Sequence, residues 1–207
     1  MTHTLHRAGS RRSLSNDFPI LAHVARGFND QGSQEKLRRI SEIFIKYTDL
    51  NFGCATLGNR YSTSIPEIMK KIKVGCHAVF RDNESLTACM KELKKADIGI
   101  SIVVSGCFDI IKECCKKADI KWHLTEYSLG IHGKTEFLPS EPYLEIITMC
   151  GHSMVAKAHI DYLVKQIKKG KISYDDAGIG LAKPCVCGIF NPERAANILR
   201  RIVGESE

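Results

Sequence analysis

Phe18-Pro-Ile-Leu-Ala-His-Val-Ala25 runs into the loop Arg26-Gly27-Phe28-Asn29-Asp30-Gln31-Gly32 and then Ser33, after which Leu37, Ile40, Ile43 and Phe44 recur at helical spacing. A short apolar run, a glycine loop, a capping serine and an apolar stripe make one β-loop-α unit. The unit repeats downstream. Residues 51–57 predict a second strand, whose loop Gly58-Asn59-Arg60 leads to a short helix with Pro66 in its first turn. Residues 76–80 predict a third, followed at Asp82-Asn83 by a helix carrying Leu86, Cys89, Met90 and Leu93 on one stripe. Residues 98–104 are rich in β-branched side chains and end at Ser105-Gly106, with Phe108, Ile111 and Cys115 on a helix behind them. Residues 122–129 predict a fifth strand. Strands alternating with helices imply right-handed crossovers, so the expected fold is α/β, a mainly parallel five-stranded sheet with flanking helices.

After Pro142 the pattern turns wholly helical: residues 143–149, a long helix over 153–169, a third opening at Ser173 and a last one at Asn191-Pro192-Glu193. The last start joins an N-cap, a proline at the first helical position and an acid in the first turn. The expected organisation is a flexible basic tail over 1–16 and a single α/β domain over 17–207. Within that domain, 17–140 form the βα core and 141–207 a helical C-terminal cap.

Composition fits this plan. The chain has 207 residues, 43% of them hydrophobic and 26% charged, which suits one globular domain. No apolar run is long enough to span a bilayer and no apolar leader opens the chain, so the expectation is a cytoplasmic protein with no membrane association. Nine cysteines without an export signal are expected as reduced thiols. The net charge is +7, but three of those charges are Arg7, Arg11 and Arg12. Most of the rest are lysines at helix ends, such as Lys94 and Lys95, Lys116 and Lys117, or Lys168 and Lys169, where they complement the helix dipole. With no aromatic RNA-binding motif, helix-turn-helix signature or zinc-finger spacing, the chain argues against a nucleic-acid partner, and an electrostatic face alone is left as a third reading.

The chemistry concentrates in sulfur. Cys150-Gly151-His152-Ser153 precedes the long predicted helix, and Pro184-Cys185-Val186-Cys187-Gly188 precedes the last one. Helix N-termini favour thiolates. In an extended Cys-X-Cys segment both sulfurs face the same way, so they suit one metal centre. Cys107, just after the fourth predicted strand, supplies a further sulfur. The expected metal ligands are Cys107, Cys150, Cys185 and Cys187, holding a [4Fe–4S] cluster with zinc as the alternative and His152 as substitute ligand. The same residues fit a thiol enzyme, with Cys150 as nucleophile activated by His152, and Cys185 with Cys187 as a redox pair. Cys54, Cys76 and Cys89 read as core.

Two glycine loops are candidate ligand cradles: Gly27, Asn29 and Gly32 in the first, and Gly130, Gly133 and Lys134 in the second, where His132 adds a proton donor or acceptor. They suggest a small anionic ligand, and the sulfurs a redox protein partner. Neither loop is a dinucleotide or P-loop fingerprint, and no H-E-x-x-H or nucleophile elbow is present.

Overall fold

The computed structural model describes residues 4–204. Five strands form one sheet: β1 (Phe18–His23), β2 (Asn51–Cys54), β3 (Gly58–Asn59), β4 (Gly75–Phe80) and β5 (Ser101–Val104), in the order β3-β2-β4-β1-β5. The helices are α1 (Arg11–Leu14), α2 (Ser33–Tyr47), α3 (Ile65–Lys71), α4 (Asn83–Ala96), α5 (Phe108–Lys117), α6 (Glu141–Thr148), α7 (Lys157–Lys168), α8 (Tyr174–Ala182) and α9 (Pro192–Val203).

Every strand pairing is antiparallel, which corrects the expectation of a mainly parallel sheet. The crossovers themselves are present. β1 and β2, joined through α2, run the same way, but β4 lies between them; β4 and β5, joined through α4, run the same way with β1 between them. Two β-α-β units are thus interleaved, and each strand's hydrogen-bonded neighbour belongs to the other unit. The fifth strand is also misplaced in the sequence reading. Residues 122–129 form no strand, and the extra one is the two-residue β3, a hairpin partner of β2.

One face of the sheet carries Phe18, Ile20 and Ala22 of β1 and Cys76, Ala78 and Phe80 of β4, packed under Leu37, Ile40 and Phe44 of α2 and Leu86, Cys89 and Met90 of α4. The opposite face presents Leu21, Asn51, His77 and Val79, and these too are buried. Covering it is a second core from the helical cap, including Ile146, Val155, Ile160, Leu181, Ile189, Phe190, Ile198 and Leu199. Two-sided burial explains the misreading. Continuous apolar strands usually mark parallel sheets with helices on both faces. Here an antiparallel sheet acquires the same pattern because the cap encloses its second face.

Residues 4–16, read from sequence as a flexible basic tail, lie against the cap. Arg7 is buried and paired with Asp17, and it donates to the carbonyls of Met149, at 3.0 Å, and Ile189, at 2.5 Å. Arg194 reaches the same Asp17 at 2.7 Å, and Glu145 joins Arg194 to Arg201. No helix among the described residues is long and apolar enough to cross a membrane.

Candidate sulfur site in the cap

The site forms where two cap loops meet above β2 and β4. α6 ends at Thr148, and residues 149–156 make an irregular turn before α7 begins at Lys157. The long helix expected from 153 therefore starts later, and Cys150 sits at the C-terminal end of α6, where the helix dipole disfavours an anion. Its stabilisation comes from elsewhere. The Cys150 thiol is pulled down to about 6 by a hydrogen bond from Cys185, against the opposing effect of burial, with help from the backbone N–H groups of Met154 and His152. Ser153 at φ 56° folds the turn so that its own N–H reaches the Cys150 carbonyl at 3.1 Å.

Cys185 and Cys187 lie between α8 and α9, on a loop fixed by the sheet. Asn59 of β3 donates its Nδ2 to the carbonyls of Ala182, at 2.9 Å, and Cys185, at 2.8 Å, while its Oδ1 accepts from the Tyr61 N–H at 2.8 Å. His77 of β4 donates Nδ1 to the Cys187 carbonyl at 3.0 Å, and Asn51 donates to the Phe190 carbonyl at 2.9 Å. Gly188, at φ 82°, presses directly on β2: a Cβ there would stand 2.2 Å from the Gly53 nitrogen. Four points of attachment, none suggested by a sequence motif, position the two sulfurs.

The resulting geometry is tight. Cys185 Sγ and Cys187 Sγ are 3.7 Å apart, and Cys187 Sγ is 3.7 Å from His152 Nδ1. Cys185 donates to the Cys150 thiolate, so its own thiol is held strongly on the protonated side by that bond, by Cys187 and by burial. All three sulfurs are buried, Cys150 at 2% exposure and the others at 0%, while the turn carrying His152 is exposed. Among the described residues no group of three or more His, Cys, Asp or Glu side chains is placed so that it could hold a metal ion.

No protein-family model, curated protein or solved structure matches the chain. The residues alone therefore bear on function.

The other sequence candidates fall outside the cluster. Cys107 is the N-cap of α5, half-buried, with the Arg11–Asp109 ion pair for company. Asn29 closes its own loop, accepting from the Ala25 N–H at 2.7 Å and donating to the Gly99 carbonyl at 2.9 Å, and Gly27 and Gly32 supply the positive φ that this turn needs. Gly130, Gly133 and Lys134 lie in an exposed stretch, where His132 donates Nε2 to the Leu129 carbonyl at 2.7 Å. Cys54, Cys76 and Cys89 fill the sheet core, and burial pushes the Cys76 thiol up to about 12. His77 stands inside the third predicted strand, where no motif singles it out. It is buried beside the site, its Nε2 is 2.5 Å from that of His23, and the two rings stack at 4.7 Å.

Proposed function

We propose that Cys150, Cys185, Cys187 and His152 together bind a single tetrahedral metal ion, with zinc the best match, and that this ion staples the two cap loops over the sheet. The observation that carries the proposal is the pair of 3.7 Å edges. Ligands at about 2.3 Å for sulfur and about 2.0 Å for imidazole nitrogen around one tetrahedral zinc stand about 3.8 Å apart for two sulfurs and about 3.5 Å for sulfur and nitrogen. A [4Fe–4S] cube assigns its sulfur ligands to different irons and spreads them farther, so the spacing favours a mononuclear centre over the cluster. Zinc supplies charge and fixed geometry. Cys150 enters as the thiolate, Cys185 gives up its proton on binding, and His152 closes the set from the solvent side. Four protein ligands leave no open position for substrate, which makes the role structural. Nine cysteines with no disulfide among the described residues suit a reducing compartment, the cytoplasm in this reading.

The low pKa of Cys150 favours a second reading, in which it acts as a nucleophile with Cys185 and Cys187 as a redox pair, although 2% exposure leaves little room for a substrate. Elemental analysis of anaerobically purified protein separates the two. The expected result is one equivalent of zinc per chain, replaceable by cobalt with thiolate-to-metal absorption, and lost in the Cys185→Ser/Cys187→Ser double variant. Unchanged metal in that variant overturns the proposal. Iron with broad visible absorbance would restore the cluster, and metal-free protein with fast alkylation at Cys150 would establish the thiol reading.

A further inference from the structure

One stretch carries six of the twelve large hydrophobic side chains exposed among the described residues. Trp122, Leu124, Tyr127, Leu129, Ile131 and Phe137 stand between 46% and 88% exposed on a stretch without strand or α-helix. Together they expose roughly 800 Å² of side chain, given the 150–250 Å² of each aromatic, which is about what one partner buries in a stable complex. Among the described residues, no backbone group over 121–132 pairs with another backbone group. Contiguous apolar surface of this size marks an interaction site.

The stretch lies against the start of α5, the helix that follows the edge strand β5. Phe108, at the start of α5, stacks edge-on with Trp122 at 6.4 Å and with Tyr127 at 5.6 Å, and α5 follows directly on β5. Among the described residues β5 pairs only with β1. Because the Ser105 N–H reaches the Pro19 carbonyl, Ser101 and Val103 also turn their backbone groups to β1, and those of Ile102 and Val104 point outward. An unprotected edge of this kind pairs readily with another strand.

Charge selects the occupant. The chain carries +7 overall, which opposes self-association across most of its surface. The apolar stretch itself, residues 122–137, holds only Lys134 against Glu126 and Glu136. That balance removes the like-charge barrier between two copies and offers no excess positive charge to an anionic membrane or an acidic partner.

We infer that two copies of this chain pair through their β5 edges about a two-fold axis at Val103, Ile102 of each exchanging backbone hydrogen bonds with Val104 of the other. The apolar stretch of each copy covers the joint. The sheet becomes ten-stranded, and the two-fold contact is closed because each β5 edge is used up by the other.

Sedimentation of the full chain tests this. The expected mass is about twice 23.1 kDa, and the amides of Ile102 and Val104 should be slow to exchange. Ile102→Pro removes an outward donor without touching the β1 ladder, and Leu129→Asp/Phe137→Asp charges exposed positions that the fold does not need; each should sediment as a monomer with an unchanged circular dichroism spectrum. A monomeric wild-type chain overturns the inference, and co-sedimentation of that monomer with lipid vesicles would assign the surface to a membrane. A dimer surviving both variants overturns it as well.

Discussion

Asn59 concentrates more of the site's rigidity than any of the sulfurs. Its amide holds the carbonyls of Ala182 and Cys185 while its oxygen holds the Tyr61 N–H, and the side chain is fully buried. Asn59→Ala strips those partners inside the protein, where an unmet polar group costs about 1–3 kcal/mol. The urea midpoint should fall accordingly with an unchanged m-value. Cys150 gives a pH signature. Its thiol is depressed to about 6 from an unfolded value of about 8.5, so its stabilising contribution is complete above about 8.5 and disappears as the pH falls through about 6. Metal-free protein titrated by urea from pH 8.5 to 5.5 should weaken over that window, and Cys150→Ser should flatten the dependence.

The loop between α8 and α9 shows why local pattern could not reveal the whole site. The Cys-X-Cys spacing and the helix start at Asn191, whose side chain does accept from the Arg194 N–H at 3.0 Å, are written in consecutive residues and were legible. What brings Cys185 and Cys187 to Cys150 is not local: it is the hold of Asn59, His77 and Asn51, residues more than a hundred positions away. Strand direction was illegible for a similar reason, since crossover helices reveal which strands run together but not which strand lies between them. The helix start expected at Ser153 failed because residues 149–156 carry the helix-compatible Met149, Met154, Val155 and Ala156 yet turn to hold a thiolate. Gly188→Ala isolates the element. Its Cβ would meet the β2 backbone at a φ of 82°, so the loop must lift away. We expect a loss of about 3 kcal/mol or more in thermal unfolding, beyond the ~1 kcal/mol of an ordinary glycine replacement.

The sheet and the cap are joined into one body by charge as well as by apolar contact. Asp17, just before β1, receives both Arg7 and Arg194, and Glu145 of α6 receives Arg194 and Arg201, with Asp17, Glu145, Arg7 and Arg194 all buried. Removing one partner of a buried pair leaves the other uncompensated, at about 3–5 kcal/mol. Arg194→Leu should therefore lower the melting temperature far more than Arg38→Leu, whose ion pair with Glu35 is exposed. The seat of Arg7 has a further outcome during synthesis. Its acceptors stand 142 and 182 residues downstream and leave the ribosome long after it. Until then residues 4–12 have nowhere to dock, so a protease added to nascent chains stalled before residue 149 should clip that segment freely and spare it in the folded protein.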